Sequence, residues 1–395
     1  MADYGKTFRF DQGTVFTADP EMVHDLLVRT NTDFMADQSP FSARIDLQQA
    51  AADAELWMSV RQRGWKGLNR RVSIAHIVRL RQIFEDVIDP KLGTARSAMS
   101  VGGEIFSTAI VDYCLGYDSG KVLGFVSANT DALSGVAGFS TLLPEWMPTR
   151  KIKTFKAARK QLLDALESCV CERANLPSHR EPNDLLDGLL QDPSLTQFQI
   201  QRFIRSLLLA AHGVPAAAMS WIISELLVTP DRIAYLRAEI DAYSDEQLMM
   251  GKNSPRVEAF VKEVLRLWPP TWLLGRTALH STTLGQWPIR PNETVTFSPY
   301  IIQRDPDTWE QAEEFKPERW LDGKAGPARH TYLPFGAGPR VCVGAQIGMM
   351  QLAAITSWLV RDYSLTAVSA DGARPSFQGL LAPNDLRVAV VRRDR

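Results

Sequence analysis

The residue types that could do the most chemistry lie late in the chain, in the run PFGAGPRVCVG from Pro334 to Gly344. A thiol, a guanidinium and three glycines share this run, and the helical pattern AQIGMMQLAAITSWLV follows at once. Glycines let backbone pass close to something flat and bulky. Arg340 offers a fixed charge for an anion. Cys342 stands just before a helix start, where backbone N–H groups and the helix dipole favour a thiolate. Such a thiolate could be a nucleophile or an iron ligand. A nucleophile would want a base, and among histidines His330 alone is close in sequence. A glycine turn with an incidental buried cysteine is the plain alternative. Six ordered positions in ten residues (Phe335, Gly336, Gly338, Arg340, Cys342 and Gly344) weigh against it.

A second stretch, LLLAAHGVPAAAMSW from Leu207 to Trp221, reads as a core helix with HGVP in its middle. In a helix interior Gly costs about 1 kcal/mol relative to Ala and Pro about 3 kcal/mol. Pro215 cannot donate its backbone bond, and its ring crowds the carbonyl of Ala211. The stretch is either a loop between two short helices or a helix opened over a reaction centre. A third feature is EVLR, which sets Glu263 and Arg266 one turn apart on one helix face. Alone it reads as an ordinary surface pair.

The elements that must position these residues are mostly helical. PEMVHDLLVRT, IVRLRQIFEDVIDPKL, KTFKAARKQLLDALESCVCERA, NDLLDGLL and SPRVEAFVKEVLRLW repeat apolar residues at three- and four-residue spacing. Strand signals are short: GTVFTA, TLGQWPIRPNETVTFS and LRVAVVRR. Pro and Gly gather after residue 268, where an irregular tract should hold a site. The 395 residues carry a net charge of -1 and are 45% hydrophobic, which supplies a large core and argues against a nucleic-acid binder or a polybasic membrane protein. The first residues contain no apolar run of signal-peptide or anchor length, so a soluble, cytoplasmic protein with no membrane partner is expected. Four cysteines suit a reducing compartment. Cys169 and Cys171, two apart in a helical pattern, do not share a face, which argues against zinc there. With no repeat and no linker visible, one mainly α domain with small β-sheets over 1–395 is expected.

Against this background the 335–344 stretch resembles the haem-binding loop of the cytochrome P450 family at every signature position, and the resemblance extends over most of the chain. It implies the cytochrome P450 fold, with haem b held between a long central helix and the cysteine-loop helix, and Cys342 as the axial thiolate on iron. Thiolate ligation pushes electron density to iron and favours O–O cleavage. FKPERW then supplies Arg319 as the third member of a buried network with Glu263 and Arg266. Two guanidiniums around one carboxylate can pin a helix to an irregular segment. DAELWMSVRQ resembles the early helix that contributes Trp57 and Arg61 to a haem propionate, with Trp65 as a competitor. LLGRTA places Arg276 near a propionate, and Arg340 is the contributor from the loop.

The resemblance also aligns the opened helix. Ala210 and Ala211 fall at the family's small pair, Gly213 at its acid, Val214 at its threonine, and Pro215 follows. A site built on Ala211, His212, Gly213, Val214 and Pro215 therefore lacks the family's acid and hydroxyl. Three accounts of proton delivery stay open: a polar group of the substrate organises water, His212 assists, or the chemistry needs few protons. The first is favoured, and His212 is expected to point away from iron. By segment, the pocket is expected to draw on Phe41, Arg44, Leu143, Trp146, Met147, Thr271, Trp272, Leu273, Phe377, Leu380 and Leu381. A largely apolar cavity with Arg44 as polar anchor would suit a medium-sized lipophilic or peptide-like metabolite. Electrons would come from an external ferredoxin or flavodoxin with its reductase, docking on Arg61, Arg63, Lys66, Arg70 and Arg71. The implied activity is a monooxygenase, with a tailoring step in specialised-metabolite biosynthesis as its setting. The alternatives are a peroxygenase or isomerase that does not use dioxygen, and a non-catalytic haem sensor.

Overall fold

The computed structural model describes residues 5–36, 54–55, 57–62, 70–137, 149–176, 182–244, 247–248, 254–321, 327–368 and 373–393. The helices are α1 Pro20–Val28, α2 Arg70–Ile88, α3 Ala98–Leu115, α4 Ser119–Ala137, α5 Arg150–Ala174, α6 Leu185–Leu190, α7 Gln197–Ala210, α8 Gly213–Val228, α9 Pro230–Ile240, α10 Pro255–Leu267, α11 Pro299–Ile302 and α12 Ala345–Asp362. Their starts follow local chemistry. Asp19 caps α1 by accepting from the Glu21 and Met22 amides, Thr196 and Gln199 form a reciprocal capping box on α7, and Ser254 caps α10 ahead of Pro255. Residues 57–62 are helical as well.

The strands are short. A five-stranded sheet runs in the order β1 (Thr7–Arg9), β2 (Thr14–Thr17), β8 (Thr294–Phe297), β5 (Leu274–Ala278), β3 (Phe34–Ala36). Its β2–β8 pair is parallel and the others are antiparallel. A second sheet orders β4 (Arg96–Ser97), β12 (Arg387–Arg392) and β9 (Tyr363–Ala367). Two hairpins remain, β6 (Thr282–Leu284) with β7 (Trp287–Ile289), and β10 (Arg374–Ser376) with β11 (Ala382–Asn384).

The helical core has two parts. One packs α2, α3, α8, α9, α10 and α12 together through Phe84, Phe106, Trp221, Phe260 and Trp358. The other joins α3 to α5, α6 and α7 through Tyr113, Leu166, Leu189 and Phe203. A third cluster seats α1 on the five-stranded sheet. Every residue of α8 from Ala216 to Leu226 is buried. The stretch Gln197–Val228 contains a window apolar enough, by length and composition alone, to cross a membrane. Here that composition serves a helix pair threaded through the fold.

Candidate functional site

The cysteine loop is built by its glycines in two different ways. Gly336 and Gly338 both have left-handed φ, +71° and +69°. A Cβ on Gly336 would meet open space, whereas one on Gly338 would stand 2.2 Å from the Leu27 carbonyl oxygen at the end of α1. The close approach that needs glycine at 338 is thus to the protein's own first helix, not to a flat ligand. The Cys342 amide donates to the Phe335 carbonyl at 2.8 Å, which closes the loop into a tight bend ahead of α12. The Cys342 residue is solvent-accessible, yet protein crowds the thiol itself. That crowding pushes the thiol above its ordinary range; the Gly344 amide, donating to sulfur, and the Arg61 charge pull the other way.

Three guanidiniums gather around the loop. Arg61 is 6% exposed and donates to the Val341 carbonyl, the residue before the cysteine. It is turned into the protein, so it is no part of a free basic docking face. Arg63, Lys66 and Trp65 lie outside the described residues, as do the side chains of Arg70 and Arg71. Arg340 Nε donates to Asn31 Oδ1 at 3.1 Å, and Arg276 Nε to Thr30 Oγ1 at 3.0 Å. Consecutive residues after α1 thus hold both arginines, with Asn31 at φ +77°, a conformation asparagine tolerates. Burial and the neighbouring Arg61 lower the Arg340 pKa, and among the described residues no carboxylate pairs with Arg340. A half-buried cation in that setting favours an anion beside it. The Trp57 ring packs 5.5 Å from Phe203 of α7, against the second core cluster. Thr30 and Asn31 carried no signal in the sequence, because their role depends on contacts with residues far along the chain.

Glu263, Arg266 and Arg319 stand together. Arg266 grips Glu263 through two bonds, Nε to Oε2 at 3.0 Å and Nη2 to Oε1 at 2.9 Å, and Arg319 Nε adds a third at 3.1 Å. The Lys316 amide and Trp320 Nε1 complete the shell at 2.9 Å each. Arg266, fully buried, also donates to the carbonyls of Gln303, Ala312 and Glu314. Gln303 extends the network: its amide nitrogen donates to the Leu265 and Arg266 carbonyls, and its oxygen accepts the Leu333 amide just before the cysteine loop. Trp320 and Gln303 escaped the sequence reading because a lone Trp or Gln in an irregular tract has no distinguishing pattern.

The helix break is real and short. α7 ends at Ala210, Ala211 and His212 form a turn, and α8 begins at Gly213. Pro215 therefore sits in the first turn of α8, where a missing N–H is tolerated. Within the break, His212 Nδ1 is hydrogen-bonded to Ser107 Oγ of α3. Gly213 faces another element: a Cβ there would lie 3.0 Å from Leu380 Cδ1, so the turn between β10 and β11 abuts the break. Leu209 and Val214 leave apolar surface accessible, 39% and 38%, beside the fully buried run of α8. Ala211, Val343 and Ile347 border the same core cluster as Trp57, so the break and the cysteine loop pack against one apolar body.

Of the expected pocket residues, Phe377 is 38% exposed and packs edge-on against Trp272 and Tyr300 at 5.0 and 5.2 Å. Trp272 Nε1 donates to the Gly379 carbonyl at 3.1 Å. Thr271, Leu273 and Leu380 are half-buried. Leu381 is fully buried, its amide donates to the Pro270 carbonyl and its carbonyl accepts from Trp221 Nε1. Phe41, Arg44, Leu143, Trp146 and Met147 lie outside the described residues. Among the described residues no three His, Cys, Asp or Glu side chains gather for a metal ion.

An accessible thiol on a tight loop, inward-facing guanidiniums beside it and accessible apolar side chains on a core helix fit an iron porphyrin with two carboxylates. The cytochrome P450 family profile matches residues 1–389, and the chain belongs to that family, whose members carry a cysteine-ligated haem iron. It is 31% identical over 231 residues to the sterol 14alpha-demethylase of Mycolicibacterium vanbaalenii, covering 55% of this chain and 51% of that one. It is 31% identical over 199 residues to the cyclooctatin synthase of Streptomyces melanosporofaciens, covering 49% and 43%. Over greater length it is 25% identical to the carnosic acid synthase of Salvia fruticosa, covering 89% of this chain and 78% of that one. The chain thus spans about half the length of the two bacterial relatives in these matches. Among solved structures, the retinoic acid bound cyanobacterial CYP120A1 superposes with a TM-score of 0.80 at 18% identity, over 99% of this chain and 93% of that one. The P450DA heme domain reaches 0.82 at 17%, over 98% and 90%. At these identities the structures speak for the fold.

Proposed function

We propose that the chain is a haem-thiolate monooxygenase acting on a medium-sized lipophilic metabolite, in which the Cys342 sulfur would hold the haem iron. The observation that carries this is the solvent-accessible Cys342, on a loop that Arg61 and Arg340 flank. A thiolate-ligated haem supplies reductive activation of dioxygen and oxygen insertion. The chain's own residues do the rest. Arg61, Arg276 and Arg340 neutralise and orient the two propionates. Leu209, Val214, Phe377, Trp272 and Leu380 shape an apolar pocket that excludes bulk water. Gly213 and Val214 carry no group able to hand on a proton. Pro215 leaves the Ala211 carbonyl without its usual donor one turn on, so that oxygen can hold a water, and a polar group of the substrate completes the route. The printed names of the relatives, a sterol demethylase and the synthases of cyclooctatin and carnosic acid, support a lipophilic substrate and a biosynthetic setting. Electrons come from a separate ferredoxin or flavodoxin.

The test is spectral and then catalytic. The reduced carbon monoxide complex should show the thiolate-type Soret band, and Cys342→Ser should lose it. Persistence of the band in that variant sinks the assignment. Turnover of a lipophilic substrate panel with ferredoxin, its reductase, NADPH and oxygen supports the monooxygenase. Product formed with hydrogen peroxide alone, and not with the electron chain, points instead to a peroxygenase.

A further inference from the structure

The helix break is held from one side by a seat on α3. Gly102 approaches α8 so closely that a Cβ on it would stand 3.0 Å from the Ala216 Cα and 3.1 Å from its carbonyl oxygen. A Cβ on Gly103 would come 3.5 Å from His212 Cε1. One turn further on, Ser107 Oγ meets His212 Nδ1. Two glycines thus admit a backbone and a ring, and a serine fixes the ring. Ser107 is 4% exposed, so this bond is made largely out of water's reach. His212 occupies the N-cap position of α8 and yet makes no capping bond there. Its side chain is committed to α3 instead. On the opposite side the break meets Leu380, whose contact is apolar and non-directional.

We propose that His212 is a positioning residue for the oxidation chemistry: its hydrogen bond to Ser107 fixes the opening between α7 and α8 in one conformation, in the stretch where this chain lacks both acid and hydroxyl. The proposal rests on the haem-thiolate reading above. Its chemical consequence is a pH dependence. Burial holds the imidazole below its ordinary range, and the exposed Asp131 of α4 opposes that by its charge. The other described neighbours of the ring and the break, Gly102, Gly103 and Ser107 of α3 and Leu380 of the β10–β11 turn, bring no charge. A neutral imidazole can accept the Ser107 hydroxyl proton at Nδ1. A protonated one has only donors, so the bond reverses: Nδ1–H donates to Ser107 Oγ, and the hydroxyl proton turns towards the Gly103 carbonyl one helical turn back. The direction and strength of the bond that holds the break then follow the protonation of His212, which burial moves below the ordinary imidazole range.

The experiment has two arms on the haem-loaded protein. The chain has six histidines, so ring-nitrogen NMR signals can be assigned by single substitutions. His212 should titrate below 6.5, and Ser107→Ala should move its midpoint while Ser107→Thr restores it. The second arm is the rate of carbon monoxide binding to the reduced protein across pH 5 to 8. Wild type should show an inflection at the His212 midpoint, and His212→Gln should abolish it while keeping a partner for Ser107. Ser107→Ala and His212→Ala should each change the rate roughly two- to tenfold, the size of one net hydrogen bond. The double variant should go no further than either single one. Additive effects, or an inflection that survives His212→Gln, overturn the proposal while leaving the haem-thiolate reading standing. A wild type with no thiolate-type carbon monoxide band sinks that reading and this proposal with it.

Discussion

Glu263→Ala puts the buried network to a quantitative test. The carboxylate accepts two bonds from Arg266, one from Arg319, one from the Lys316 amide and one from Trp320 Nε1. Removing it leaves Arg266 fully buried, still bonded to three backbone carbonyls but with its charge uncompensated. Breaking one side of a buried ion pair costs about 3–5 kcal/mol. The unfolding entropy of a 395-residue chain is roughly 0.8 kcal/mol per kelvin near 60 °C. A loss of about 4 kcal/mol therefore lowers Tm by only about 5 °C, since a large chain spreads a local defect over a large enthalpy. Chemical denaturation is the sharper assay, followed by circular dichroism and by haem release. Arg319 is partly exposed and gives the carboxylate a single bond, so Arg319→Ala should cost about 1 kcal/mol. Glu263→Ala combined with Arg266→Met removes the stranded charge and should recover part of the loss. If Glu263→Ala costs less than about 1 kcal/mol, or if the double variant is no better than the single, stranded charge is not what makes this network matter.

Three further outcomes are expected. Gly338→Ala should yield little folded, haem-binding protein, because its Cβ would collide with the Leu27 carbonyl, whereas Gly336→Ala meets open space and should cost about 1–2 kcal/mol for its left-handed φ; expression and haem content of the two variants check this. Gly213→Ala should fold as well as wild type but push Leu380 aside, changing the product ratio, and Leu380→Ala in the same chain should restore the wild-type ratio; chromatography of products reads it. His76, buried between Asp112 and Gln351, has its pKa lowered by burial, so the unfolded chain takes up a proton near pH 6.5 that the fold resists; stability should fall as pH drops below that value, and denaturant midpoints of His76→Gln should fall less.

Much of the helical frame was legible because its faces alternate. α1, α5 and α10 show the three- and four-residue spacing that burial of one face imposes. α3 gave no such signal. It is buried on nearly every side and carries Gly102 and Gly103, so neither periodicity nor propensity marks it. Its glycines make sense only once α8 and His212 lie against them. The strands β3, β4, β10 and β11 are two or three residues long, too short for alternation to register. At the site, the loop from Phe335 to Gly344 was readable because its constraints are local. The supports from Leu27, Thr30, Asn31 and Gln303 were not, since each acts across most of the chain. Arg61 was misread as a surface charge in one of its two expected roles because sequence does not say which way a helix face turns.

The contact between Gly338 and Leu27 also has a consequence in time. During synthesis at roughly 5–20 residues per second, α1 leaves the ribosome tens of seconds before its partner exists. β2 waits as long for the parallel strand β8, with one side of its backbone unmatched. The end of α1 and the strand beside it must be tolerated unfinished while the helices between them assemble. The loop that carries the reactive sulfur thus closes late, onto a segment made long before it. A ribosome stalled short of Gly338 would hold a chain with most of its helices present and no means of completing the loop.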